Sequence, residues 1–173
     1  MRSFTRRATN CGAALTASRS RRQIRAVVEE TTQRRTYTAA HCHPASSIRR
    51  CTEFGVRSIE HGTLIDAETA DYVAAAGAFI VPTMAIIFAL KEHGPRLGFP
   101  PASQFKVQSV YEHALQGMEH MRKAGVNIAF GTDLLGALYV EQCREFTLPR
   151  GVHAARDTAP SDLDFGGPSH EGG

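Results

Sequence analysis

Apolar positions recur with helical spacing over residues 22–34, where Ile24, Val27 and Val28 fall on one face. The pattern then changes period. Residues 37–41 form a short strand-like run, and 45–54 return to helix with Gly55 placed to end it. Residues 56–60 (VRSIE) read as a strand that stops at His61-Gly62. A helix over 66–76 follows, opened by Asp66 as N-cap with Thr69 behind it and closed by Gly77. Residues 78–81 are a buried strand ending before Pro82, and a Gly/Pro-punctuated loop around HGPRLGFPP leads into a long helix over 105–124. The fourth strand, 126–130, ends in Gly131-Thr132-Asp133. Strands that are nearly all apolar, alternating with helices that glycine terminates, predict βα units on a parallel sheet, an α/β fold.

The polar residues that interrupt this pattern fall at one topological position. Three of the four predicted strands end in a group able to bind metal: His41, with His43 two residues on, then His61, then Asp133. In βα-repeat proteins the C-terminal strand ends form the rim that carries chemistry. Two histidines one residue apart on a strand point to the same side. Imidazole and carboxylate suit a borderline divalent cation such as zinc, which activates water at its open position. Each residue also has a plainer role. His61 can cap the following helix, Asp133 can be the N-cap of a helix starting near Leu134, and His43 can donate a hydrogen bond to a ligand instead of binding metal. Alternation places Glu60 and Cys42 on the face opposite their histidine neighbours, which for Glu60 is the helix side of the sheet. His93, His113, His120, His153 and His170 lie in loops, helices or the tail and read as solvated surface.

Composition narrows the picture. The chain of 173 residues has 20 Lys+Arg against 17 Asp+Glu, a net charge of +3 that is too small to argue for nucleic acid. No stretch approaches the ~18 uninterrupted apolar residues of a membrane span. The four cysteines form no Cys-x-x-Cys pair, a zinc finger on Cys42, His43 and Cys51 would lack its second pair, and a reducing, cytoplasmic setting is the default. Nine arginines precede position 36 and the first acidic residue is Glu29. This resembles an organellar transit peptide in composition, without the amphipathic face that would accompany one. The domain expectation is therefore an Arg-rich disordered leader over 1–22, a folded body over 23–148 and a Gly/Pro/Ser-rich disordered tail over 149–173.

The segments TAAHCHPASSIRRCTEFGVRSIEHGTLIDAETADYVAAAGAFIVPT and GMEHMRKAGVNIAFGTD resemble the C-terminal half of amidohydrolase superfamily proteins. The similarity is greatest to the branch of imidazolonepropionase-like enzymes and Xaa-Pro or Xaa-Arg dipeptidases. The resemblance implies a distorted TIM barrel that hydrolyses amide or ester bonds with one or two divalent metals. It makes His41 the metal ligand ending the fifth strand and His61 the ligand ending the sixth. Asp133 becomes the residue ending the eighth strand, touching metal and acting as general base. His43 has no general ligand role there and is a candidate for the substrate side or for supporting a ligand, and the loop after Thr83, near residues 84–88, would lie over the pocket and shape specificity. The family's upstream His-x-His pair and bridging lysine have no counterpart, since the 40 residues before His41 contain neither histidine nor lysine. Arginine, always protonated, cannot replace a carbamate bridge.

A complete (β/α)8 barrel takes at least ~200 residues. The expectation is thus a partial TIM-like barrel of about four βα units, corresponding to strands 5–8, as a truncated or frameshifted product would be. Its implied chemistry is metal-dependent hydrolysis of a small amide or dipeptide, with zinc as the first choice of metal and with little activity from this chain alone. The alternative is a non-catalytic half-barrel that assembles with itself as a homo-oligomer, or with a partner. Neither nucleic acid nor membrane is an expected partner.

Overall fold

The computed structural model describes residues 9–10 and 21–147. In chain order the elements are β1 (Thr9–Asn10), α1 (Arg21–Gln33), β2 (Ala39–Pro44), α2 (Ala45–Glu53), β3 (Ser58–Leu64), α3 (Ala67–Ala75), β4 (Phe79–Val81), α4 (Met84–His93), α5 (Pro101–Ala124) and β5 (Asn127–Ile128). A 3-10 stretch, Gly136–Phe146, follows. The strands are parallel and ordered β1-β2-β3-β4-β5. Each strand pairs with the next in sequence, so right-handed crossovers put every connecting helix on the same side. That is the winding of a (β/α) barrel segment, not of a doubly wound sheet whose strand order reverses.

The core forms between sheet and helices. Ala40, Cys42, Ile59 and Ile80 from the strands meet Ile48, Cys51, Val73, Met118 and Met121 from the helices, all buried. Asp66 caps α3 as its position predicts, its Oδ1 accepting from the Thr69 N–H at 2.8 Å. Gly117 lets α5 lie against the end of β3, since a Cβ there would stand 3.3 Å from the Thr63 carbonyl oxygen. The other face of the sheet is open. Ser58, Glu60, Phe79, Val81 and Ala129 line a concavity of about 970 Å3 on it, together with Tyr37.

Three expectations are corrected. First, β3 does not stop at His61-Gly62 but continues to Leu64, through left-handed backbone at His61 (φ 77°) and Gly62 (φ 63°). Second, Glu60 lies on the open face, not the helix face. It is in register with His41 and lines the concavity, while Ser58 Oγ donates to its carboxylate at 2.8 Å. Third, residues expected as loop after Thr83 form α4, which buries Met84, Ala85, Ile87 and Ala89. That helix begins without a side-chain cap from its own N-cap residue, Thr83, so no local start signal marks it. Among the surface histidines, His93 is half-buried and bonds Glu141 at 3.2 Å, whereas His113 is exposed. His153, His170 and the tail lie outside the described residues, as does most of the leader. Within the leader, Thr9–Asn10 pair with Ala40 and His41, and Arg21 opens α1.

Gly62 is the position where this backbone tolerates least. A Cβ there would meet Ile80 Cγ2 at 3.0 Å in addition to the left-handed φ. Gly62→Ala is expected to destabilise the fold by about 1–2 kcal/mol, visible as a lower midpoint in denaturant titration.

Candidate metal centre

β2 ends with His41 and His43 on the open side, because Cys42 between them is buried in the helix-side core. His61 is the register partner of Cys42, so strict alternation would bury its ring beside that cysteine. The left-handed backbone at His61 turns the ring to the other side. Its centroid lies 4.2 Å from that of His41 and 4.7 Å from that of His43. His41 and His43 are themselves 4.7 Å apart. The three rings each offer a nitrogen, and those nitrogens all lie within 4.8 Å of one another.

Threonine hydroxyls fix two of the rings. His61 Nδ1 bonds Thr83 Oγ1 at 2.8 Å, and His43 Nδ1 bonds Thr63 Oγ1 at 2.7 Å. With Nδ1–H donating to threonine, each ring keeps its lone pair on Nε2. His61 Nε2 faces His41 Nδ1 at 2.8 Å. Burial, followed by the neighbouring His41 and His43, pushes the His61 pKa down to about 3. Burial also lowers that of His43, with His41 adding to the effect and the Asp133 carboxylate opposing it. Two of the three rings therefore stay neutral at physiological pH, the form a metal requires.

Asp133 follows β5 with left-handed backbone (φ 53°) and is exposed. Its charge reaches His43, but it stands outside the group that the three histidines form. It caps no helix, because the 3-10 stretch begins at Gly136 with Leu135 in the cap position. Nor does His61 cap α3, whose cap is Asp66. The structure thus brings together His41, His43 and His61, with Asp133 at the edge.

Three further residues hold the site. Thr63 and Thr83 orient rings, and Glu145 orients Thr83 from behind. The buried Glu145 carboxylate accepts from the N–H groups of Met84 at 3.0 Å and Ala85 at 2.6 Å, the first turn of α4 directly after Thr83. A carboxylate on those unpaired amides supplies the missing cap. Only Thr63 had a local signal, as the residue after Gly62 in the HGT run. Glu145 lies 61 residues from Met84 and had none.

Comparison with known proteins places this geometry. The sequence profile of the amidohydrolase family matches residues 8–162. The structure is similar to a prolidase solved with N-methylphosphonate-L-proline, with TM-score 0.72 and 40% identity over 78% of this chain and 33% of that one. It is similar also to a Xaa-Pro dipeptidase with methionine bound in its active site, with TM-score 0.66 and 30% identity over 77% of this chain and 33% of that one. Ochratoxinase of Aspergillus niger is 30% identical over 112 residues, which are 64% of this chain and 23% of the enzyme. The chain therefore spans about a third of the solved relatives' length and less of ochratoxinase. These matches bear out both the resemblance and the partial-barrel fold class.

The depressed pKa of His61 makes stability depend on pH. An unfolded histidine takes its proton near its ordinary 6.5 and folded His61 only near 3, so stability falls as pH is lowered through that window. Glu145 works the other way. Burial raises its pKa above 4.5, leaving stability that is present in acid and is lost as pH rises through the folded value. The His61 effect alone amounts to at most about 1.4 kcal/mol per pH unit below its ordinary 6.5. Thermal melts of metal-free protein should show a midpoint that drops below pH 6.5, and His61→Gln should flatten that limb. A wild-type midpoint that does not move between pH 7.5 and 5 would refute this.

Proposed function

The chain belongs to the amidohydrolase family, and on that premise we propose that its chemistry is metal-dependent hydrolysis of an amide C–N bond. One observation carries this: His41 and His61, from the ends of adjacent parallel strands, meet nitrogen to nitrogen at 2.8 Å. The donor set fits a divalent ion. Two tetrahedral nitrogens on zinc stand about 3.3 Å apart, so the rings need to part by only about half an ångström. A divalent ion held there, zinc first by ligand type, would acidify water and polarise a carbonyl.

The chain's own groups supply the rest. Asp133, exposed beside the histidines, is placed to take the proton of the attacking water and return it to the leaving amine. Thr83, through Nδ1, keeps the His61 lone pair aimed at the centre. The prolidase and dipeptidase relatives favour a dipeptide with a C-terminal amino acid as substrate. The setting proposed is the cytoplasm. The chain spans about a third of the solved relatives' length, so weak turnover by it alone is part of the proposal.

A second reading, assembly with itself or a partner, draws support from exposed Phe79 and Phe130 beside the open face. A well-folded monomer of 18.8 kDa by light scattering would count against it.

Purified protein is expected to hold one divalent ion per chain and to cleave Xaa-Pro or N-acyl amino-acid substrates slowly. Asp133→Asn should lower turnover about 10²–10⁴-fold with metal content unchanged. His41→Ala should lose both. Metal content no higher than background in the wild type sinks the hydrolytic reading.

A further inference from the structure

Nothing in the family resemblance makes His43 a ligand, yet its ring stands nearly as close to those of His41 and His61 as they stand to each other, at 4.2 Å. Its centroid stands 4.7 Å from both His41 and His61, and its nitrogen belongs to the same group of three within 4.8 Å. It is also held in the way His61 is held. Each ring is gripped at Nδ1 by a threonine hydroxyl, at 2.7 Å for His43 and 2.8 Å for His61. A hydrogen bond at one imidazole nitrogen is how proteins orient the other toward a metal. The rings of His43 and His61 are within 14° of parallel, and that of His41 stands across both, at 78° and 69°.

The count of hydrogens points the same way. With His43 and His61 each donating through Nδ1, two Nε2 lone pairs are left, that of His61 facing His41 Nδ1 and that of His43 on a ring 4.7 Å from His41. His41 has one N–H with which to answer them, and it is spent on His61. A cation satisfies all three nitrogens once His41 shifts its hydrogen from Nδ1 to Nε2, a change of tautomer with no net gain or loss of protons. Asp133 stands outside this triangle and cannot replace its third corner without moving.

We infer that His41 Nδ1, His43 Nε2 and His61 Nε2 form a three-histidine site for one divalent cation, with Asp133 left free of the metal as a proton acceptor. The site draws its ligands from β2 and β3 alone. Its remaining coordination position is open to water or substrate, as three neutral ligands on zinc require. This assignment presupposes that the centre binds metal at all, and the experiment separates the two.

Zinc-loaded full-length chain is to be examined by X-ray absorption at the zinc edge, which counts imidazole ligands, alongside zinc affinity by competition with a chelator. The wild type and Asp133→Asn should both show three imidazoles with similar affinity. His43→Ala should show two, with affinity at least about tenfold weaker. Thr63→Val, which removes only the grip on His43, should keep three imidazoles and lose about 10–100-fold in affinity. The wild-type and Thr63→Val counts decide the matter even if His43→Ala does not fold. Two imidazoles in the wild type, or an Asp133→Asn spectrum that has lost a carboxylate oxygen, would overturn the three-histidine site and leave metal-dependent hydrolysis standing. No bound zinc in the wild type would overturn both.

Discussion

The left-handed backbone at His61 is the constraint on which the centre depends. Parallel pairing sets His61 opposite Cys42, and Cys42 is sealed in the core under the helices. Had β3 run on with regular pleating, the ring would share that fate, and β2 would present His41 and His43 with nothing facing them. A φ of 77° at a residue with a Cβ costs about 1–2 kcal/mol. Thr83 and Asp133, after β4 and β5, have the same sign of φ. Three of the four non-glycine residues with positive φ among those described thus lie late in β3 or after the ends of β4 and β5. Strain gathered on that side of the sheet is the distribution expected of a functional rim.

What holds the strained residues is long-range. Thr83 can present its hydroxyl to His61 because α4 starts immediately after it, and α4 can start there because Glu145 covers its first amides. Glu145 is in turn fixed by a 3-10 stretch whose Leu138 packs with Leu134, Ala85 and Ala89 in a small second core. A buried carboxylate is costly unless hydrogen-bonded, and here two backbone donors and a helix dipole compensate. The orientation of one ligand at the end of β3 therefore depends on packing about 80 residues downstream in sequence. Gly117 acts from the helix side in a similar manner, by admitting α5 close to the carbonyl of Thr63, the residue that holds His43.

This explains which features were legible in the sequence and which were not. The alternation of βα units, the Asp66 cap and the placement of His41 and His43 on one side of a strand are local or periodic. Each follows from a few neighbouring residues. The face of Glu60 was misplaced because period-two alternation was carried through a residue where the backbone turns over. That break has a sequence correlate in the adjacent Gly62, but glycine alone does not say which neighbour is left-handed. α4 was missed because its start signal is a carboxylate from the far end of the chain. The direction of the His43 ring was not legible, since it depends on Thr63, whose own position depends on α5.

The division of the site across the fold has a chemical consequence. The three imidazoles and both threonines that grip them come from one continuous run of chain, Thr83 closing what β2 and β3 open. Asp133 depends instead on the chain after β5, and Phe79 and Phe130 remain exposed at the open face. Apolar rings on a sheet face lower stability only by remaining wet, and they do not disturb the histidines on the rim. The proposed cation site and the proposed hydrolytic chemistry would thus lean on different parts of the fold. The first would need β2 and β3 with Thr83 and Glu145 behind them, and the second would need in addition the segment after β5 that holds Asp133.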